Sequence, residues 1–183
     1  MSGIFPELQT PRLLLRELTD QDADVLYAMH TDHADMQRYG SDRMTRREDA
    51  SELIAQFAGL RQNPCSGIQW GISLRESTTL LGTCGFQKWN RDWHSCAVCY
   101  DLKVAARGHG YMQEALRSAI AWAFANMNLN RIEACIYPGS RASIMLAEKL
   151  GFAREGVLRK AGYWDEQYHD MRIYGLLKNE FYG

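Results

Sequence analysis

Between Cys96 and Met127 the chain changes period across a turn that holds two glycines, and few architectures accommodate that change. The apolar run Cys96 to Leu102 has the length and composition of a strand. After Gly108-His109-Gly110 the apolar positions Met112, Ala115, Leu116, Ala119, Ile120, Ala123, Phe124 and Met127 recur at i, i+3, i+4 and i+7, the stripe of a helix packed along one side. A helix that opens from a glycine turn leaves several backbone N–H groups unpaired at the positive end of its dipole, which is a seat for phosphate. The turn is not a P-loop, because no Gly-x-x-x-x-Gly-Lys followed by Ser or Thr occurs. Nor is it a dinucleotide fingerprint: Gln113 stands where the third glycine belongs, and the unit lies past mid-chain. The ligand expected is phosphate-bearing but of another class.

The remaining chain supplies more strands and helices than the turn alone requires. Pro11 to Leu18 reads as a first strand, with Leu13 and Leu15 on one face. Thr19-Asp20-Gln21-Asp22 caps a helix running to about His30, and Thr45-Arg46-Arg47-Glu48 forms a capping box for a second helix striped by Ala50, Leu53, Ile54, Phe57 and Leu60. Ile68, Trp70, Ile72 and Leu74 alternate with polar or small residues as a half-buried strand; Leu80 to Trp89 and Cys96 to Leu102 follow as an antiparallel meander. The helix Met112 to Asn126 then crosses over to a fifth strand, Arg131 to Ile136, parallel to the fourth. Ser140 caps a short helix that Gly151 ends, and Gly156 to Lys160 with His169 to Leu177 closes the chain as a strand pair around a turn at Tyr163 to Glu166. The expected fold is α/β, a mixed central sheet of about seven strands in the order β-α-α-β-β-β-α-β-α-β-β, within one domain spanning residues 1–183.

Composition restricts the partners. A net charge of −1 and a pI of about 6.5 give no general attraction to nucleic acid or to an anionic membrane. No stretch of about 20 apolar residues and no charged segment followed by an apolar core appear, so a cytoplasmic location is expected. The five cysteines, Cys65, Cys84, Cys96, Cys99 and Cys135, are odd in number and sit mainly in strand-like runs. Cys96 and Cys99 have half the spacing of a zinc site, but strand residues three apart point to opposite faces and no second pair completes the set. Buried thiols and no metal are expected.

Several ordered motifs together resemble one family. Gly108-His109-Gly110-Tyr111 with Glu114-Ala115, Ser140-Arg141-Ala142-Ser143, Leu150-Gly151-Phe152 followed by Glu155-Gly156, the opening Pro11-Arg12-Leu13-Leu14-Leu15-Arg16, and the closing Gly162-Tyr163-Trp164 with Tyr168-His169-Asp170 resemble the RimJ/RimL-like, ribosomal-protein N-terminal type of the GNAT N-acetyltransferases. The likeness covers nearly the whole chain in the right order. It implies transfer of an acetyl group from acetyl-CoA to an amine, with the fourth and fifth strands splayed to admit the cofactor. By the same resemblance, main-chain N–H groups of Arg107, Gly108, His109, Gly110, Tyr111 and Met112 hold the pyrophosphate, the strand end from Cys99 and Asp101 through Leu102 and Val104 lines the pantetheine arm, and Ser140 touches CoA. Ser143 is implied as the proton donor to the CoA sulfur, because Ala147 stands where many relatives carry Tyr. Met112, Ser140, Ala97 and Ala147 depart from the family pattern; Ala97 replaces a frequent Glu.

With no carboxylate at that position, the base is sought nearby: His94 first, with Asp92 and Glu17 as further candidates. A peptide α-amine, with a pKa near 8, asks less of a base than a lysine near 10.4. The reading therefore favours a protein or peptide N-terminal α-amine, a ribosomal-protein N-terminus among them. A small-molecule amine (polyamine, antibiotic or amino-nucleoside) and a catalytically idle acyl-CoA sensor are the alternatives. Tyr39, Trp89, Trp93 and Trp164 are the aromatic candidates for holding the acceptor. The protein is expected to act as a monomer or homodimer.

Overall fold

Alternation along the strands decides which residues face which helices. In a computed structural model that describes residues 4–32, 36, 42–62 and 64–182, the chain runs β1 (Leu8–Gln9), β2 (Leu13–Arg16), α1 (Ala23–Met29), α2 (Arg47–Gly59), β3 (Ile68–Leu74), β4 (Leu80–Asn90), β5 (Ser95–Leu102), α3 (Tyr111–Asn126), β6 (Arg131–Ile136), α4 (Arg141–Lys149), β7 (Ala153–Trp164) and β8 (Gln167–Leu177). Among the described residues the strands form one sheet ordered β1-β2-β3-β4-β5-β6-β8-β7. Its eight strands exceed the expected seven by β1, a two-residue strand that pairs Leu8 with Leu15 and is too short to carry a period. β5 and β6 are parallel, as the crossover through α3 requires, and the other neighbours are antiparallel. No helix among the described residues is long and apolar enough to cross a membrane.

One face of the sheet is covered by α3 and α4. Leu13, Leu15, Ile68, Trp70, Ile72, Phe86, Ile132, Ala134 and Ile136 project into this layer and meet the whole expected stripe of α3, Met112 through Met127. Five of the stripe's large side chains, Met112, Leu116, Ile120, Phe124 and Met127, are buried, which contributes on the order of 10 kcal/mol as an upper bound. Trp70 anchors the layer: it is fully buried, meets Phe86 and Trp122 edge to face, and donates its indole N–H to Pro6 O at 2.7 Å.

The opposite face carries α1 and α2 over a smaller cluster of Leu18, Ala23, Leu26, Ala50, Ile54 and Leu80. Its edge is fixed by Arg16, whose guanidinium donates twice to the Asp22 carboxylate at 2.8 Å, while Asp22 also accepts the Thr19 N–H at 3.0 Å. Burial works against ionising Asp22, but these donors overcome it and hold its carboxyl below the ordinary range. β7 and β8 extend beyond the expected pair and meet at a two-residue turn, Asp165 and Glu166, both with positive φ.

Candidate active site

β5 and β6 pair only from Ser95↔Arg131 to Ala97↔Glu133. Beyond that point β5 continues to Leu102 hydrogen-bonded to β4, and β6 ends before Tyr137-Pro138, so the two parallel strands part and leave one side of the β5 main chain facing a gap. The mouth of the gap is the glycine turn. Gly108 and Gly110 take φ of 82° and 77°, a left-handed backbone that side chains with a Cβ adopt only under strain, and Gly110 is the N-cap of α3. The first main-chain bond of the helix runs from Glu114 N to Gly110 O at 3.1 Å, so the N–H groups of Tyr111, Met112 and Gln113 have no acceptor within the helix, while Arg107 N is bonded to Val104 O at 3.1 Å.

The turn is tied down from a distance. Glu114 accepts from the Thr10 hydroxyl at 2.6 Å, from Arg12 N at 2.9 Å and from Arg12 Nε at 2.7 Å, and Arg12 also donates to His109 O at 3.0 Å while its guanidinium lies 4.7 Å over the Tyr111 ring. Burial raises the Glu114 carboxyl, but these donors outweigh it and hold it below the usual range. Arg107 donates through Nε to Leu102 O at 3.0 Å, closing the turn onto the end of β5.

Gap and turn together make a cavity of about 730 Å³, within the size range of ligand sites. Its wall includes Tyr100, Asp101, Leu102, Arg107, Gly108, Gly110, Tyr111 and Met112 on one side and Gly139 to Ser143, Met145, Leu146 and Lys149 on the other. Three cations, Arg107, Arg141 and Lys149, face it against one carboxylate residue, Asp101, so the site favours a polyanion. Across the gap the Tyr100 hydroxyl donates to Ser143 O at 3.4 Å, and burial pushes that phenol up to about 12. Ser140 Oγ donates to Ser143 Oγ at 2.9 Å. No group of three or more His, Cys, Asp or Glu side chains suited to a metal occurs among the described residues.

Most of the residues singled out in the sequence converge here: Leu102, Arg107, Gly108, Gly110, Tyr111, Met112, Ser140 and Ser143 all line the cavity. Two belong to the turn without lining it. His109 stacks on Tyr111 with its Nδ1 2.9 Å from Arg107 O, and Val104, 64% exposed, lines a separate cleft with Val25 and Asp32. Ala147, at the place where relatives carry Tyr, is buried and brings no hydroxyl.

The acceptor-side expectations need correction. His94, Trp93 and Trp89 belong to the β4–β5 hairpin, at the end of β5 where the strands are still paired. Six residues separate Ser95 from Asp101, about 20 Å along a strand, so His94 stands far from the end of β5 that lines the cavity. His94 instead shapes its turn with a φ of 50°, and its carbonyl accepts from Asn130 N and Arg131 N. Asp92 shares that turn, and Glu17 pairs with Arg61 at 3.5 Å. Trp93 is exposed and Trp89 lies beneath the Arg91 guanidinium. Trp164 is at the gap's end of the sheet but is buried, stacked on His169 with centroids 3.8 Å apart and set edge-on to Tyr137. Tyr39 lies outside the described residues. Sequence reasoning passed over Arg141 and Lys149, which only the placement of α4 brings to the cavity, and the side chain of Asp101.

Parted parallel strands with a glycine turn and three cations at the mouth make a cleft suited to an extended anionic ligand. The family model of the acetyltransferase (GNAT) domain matches residues 12–153, and the chain belongs to that family: it is an N-acetyltransferase. It is 33% identical over 175 residues, covering 96% of this chain and 98% of the relative, to the uncharacterized N-acetyltransferase YoaA of Bacillus subtilis (strain 168). The fold is shared with the ribosomal L7/L12 alpha-N-protein acetyltransferase RimL in complex with coenzyme A, at TM-score 0.82 and 18% identity, covering 94% of this chain and 98% of that one. It is also shared with the spermidine N-acetyltransferase of Vibrio cholerae in complex with CoA and spermine, at TM-score 0.80 and 17% identity over 93% of this chain and 98% of that one.

Proposed function

We propose that the protein transfers the acetyl group of acetyl-CoA directly to an N-terminal α-amine of a protein or peptide. The observation that carries the donor half is the parting of β5 from β6 directly beside a glycine turn with three cations around it. The amides from Gly108 to Met112 receive the diphosphate, and Arg107, Arg141 and Lys149 neutralise the phosphates. The free edge of β5 accepts the pantetheine arm and directs main-chain N–H groups at the thioester oxygen as it gains charge.

Ser143 supplies the proton to the departing sulfur. Its Oγ lies 2.9 Å from Ser140 Oγ, so when Ser140 donates to it the Ser143 O–H is left to serve the sulfur. The amine attacks the acetyl carbon as the C–S bond breaks, so sulfur gains a proton while nitrogen loses one.

The acceptor class is supported by chemistry more than by shape. An α-amine is partly neutral near pH 8 and is ready to attack, whereas a lysine or polyamine amine near 10.4 must first lose a proton. Structural neighbours include an enzyme named for a protein α-amine and one named for spermidine, so the test compares the two directly. Native protein with acetyl-CoA is incubated with ribosomal-protein N-terminal peptides, polyamines and amino-nucleosides, and CoA is measured chromatographically, because exposed Cys135 would react with a thiol reagent. Peptide turnover above polyamine turnover is the expected result; the reverse order overturns the acceptor, and silence throughout with acetyl-CoA bound points to the sensor. Ser143→Ala should lower kcat about 10²-fold or more with acetyl-CoA binding retained.

A further inference from the structure

Acetyl transfer needs a group to take the proton from the attacking nitrogen, and the residues considered for it in the sequence do not line the cavity. One acidic residue among the described ones does line the cavity. Asp101 stands at the end of β5 where the strands have parted, on the sheet face that β5 shares with Ala97 and Cys99, opposite to Val98, Tyr100 and Leu102, which pack toward the α3 layer. Both of its oxygens are fixed. Oδ1 accepts from Thr83 N at 3.0 Å and Thr83 Oγ1 at 2.7 Å; Oδ2 lies 2.5 Å from His30 Nε2. The side chains of His30 and Asp101 are 6% and 8% exposed.

Burying a carboxylate at a ligand wall is costly unless it is paired, and a strut between β5 and the end of α1 needs no charge. Here the pair sits beside the main chain expected to hold the thioester and faces away from the helix layer that seats the phosphates. Gln69, bonded to Thr83 Oγ1 at 3.0 Å and to Cys99 Sγ at 3.1 Å, extends the same polar strip, so Asp101 is held by a network running across β3, β4 and β5. The network fixes the carboxylate without consuming every lone pair: Oδ1 serves both Thr83 donors, while Oδ2 meets His30 with one of its two lone pairs and keeps the other for an approaching nitrogen.

We propose that Asp101 takes the proton from the amine as it is acetylated, and that His30 is its positioning residue, an assignment that rests on the acetyl-transfer reading. The nitrogen lone pair forms the new C–N bond, the C–S pair leaves with sulfur, and the N–H proton passes to Asp101. Ser143 gives its proton to sulfur, and exchange with solvent restores both residues. Nitrogen becomes strongly acidic once bonded to the acetyl carbon, so a carboxylate suffices as acceptor. His30, with Nε2 against Oδ2, keeps the carboxylate aimed. The carboxylate also attracts a cationic amine before it reacts, which makes the approach to this wall selective for amines over alcohols and thiols.

The test uses the full chain and the best peptide acceptor. Asp101→Asn should keep acetyl-CoA affinity within about twofold and lose about 10²- to 10⁴-fold in kcat. Asp101→Ala should lose as much and regain part of it with added formate. His30→Gln, which still donates, should retain more activity than His30→Ala, both with unchanged KM for acetyl-CoA. Native kcat in Asp101→Asn, parallel loss of acetyl-CoA affinity, or no response of Asp101→Ala to formate overturns the proposal. If the Asp101 variants fail to fold, the His30 pair decides: a kcat loss confined to His30→Ala supports it, and equal native rates overturn it. Failure of the acetyl-transfer reading is distinguishable, because native protein itself would then be silent.

Discussion

Gly110→Ala isolates the backbone conformation on which the phosphate seat depends. A Cβ built at Gly110 meets nothing closer than Arg12 Nη2 at 3.5 Å, ordinary contact, so the substitution adds no clash. What it adds is the cost of a φ of 77° for a residue with a side chain, about 1–2 kcal/mol. For a chain of this length that is a fall in Tm of about 2–8 °C. If the turn relaxes instead, its amides lose their aim, and each charge-assisted hydrogen bond lost weakens acetyl-CoA binding about ten- to hundredfold. Thermal unfolding and calorimetric titration with acetyl-CoA measure the two outcomes. Gly110→Asn should be milder than Gly110→Ala, since Asn tolerates the left-handed region. Gly156→Ala, which meets nothing within 4 Å and has no positive φ, is the control and should be close to neutral. A Gly110→Ala protein with native Tm and native acetyl-CoA affinity would refute this reasoning.

Further expectations concern the scaffold around the site. Glu114→Gln should cost about 1 kcal/mol at neutral pH, discounted for the half-exposed Arg12 guanidinium, by urea denaturation. The folded carboxyl lies below its ordinary 4.5, so its stabilisation is present above that value and lost as pH falls through the lowered one; the difference between native and Gln variant should shrink in acid. Trp70→Ala should cost about 3–5 kcal/mol, because it empties a fully buried site and strands Pro6 O. Among the thiols, Cys135 should react first in the native state, while Cys84 and Cys96, whose thiols burial pushes up strongly, should require unfolding; mass mapping after timed alkylation checks the order.

The parts of the fold readable in the chain were those written by a local period or a local breaker. The stripe from Met112 to Met127 predicted α3 because a helix packed on one side must repeat its apolar residues, and Gly151, with a φ of 91°, does end α4. Boundaries without a marker were placed less well. Asp165-Glu166 forms a tight turn with neither Gly nor Asn, and the expected turn, Tyr163 to Glu166, was too long by the two residues with which β7 ends. The helix-start device of α2 lies one residue beyond the expected Thr45 and Glu48: the shorter Asp49 carboxylate accepts from Thr45 N and Arg46 N at 3.0 and 2.9 Å.

The site divides along the same line. Arg107 to Met112 is one local segment, and its glycines announce it. His30 and Asp101 are 71 residues apart, and only the packing of α1 over the sheet brings them together. Trp89, Trp93 and His94 drew attention as surface aromatics and an imidazole, yet strand direction argues against them. β5 enters from their hairpin and leaves into the glycine turn, so they stand at the opposite end of the strand from that turn, outside the cavity lining. Asp101, read from the sequence as a contributor of main chain, is on the proposal made above a contributor of its side chain as well.

The central claim is that coenzyme A enters between β5 and β6 and is held at its diphosphate by the main chain of the glycine turn. A crystal structure with acetyl-CoA tests it directly. The account predicts diphosphate oxygens about 3 Å from main-chain nitrogens between Gly108 and Met112, with the thioester in the gap beside Ser143. Acetyl-CoA seated on another surface, with the turn and the gap left to solvent, would contradict it.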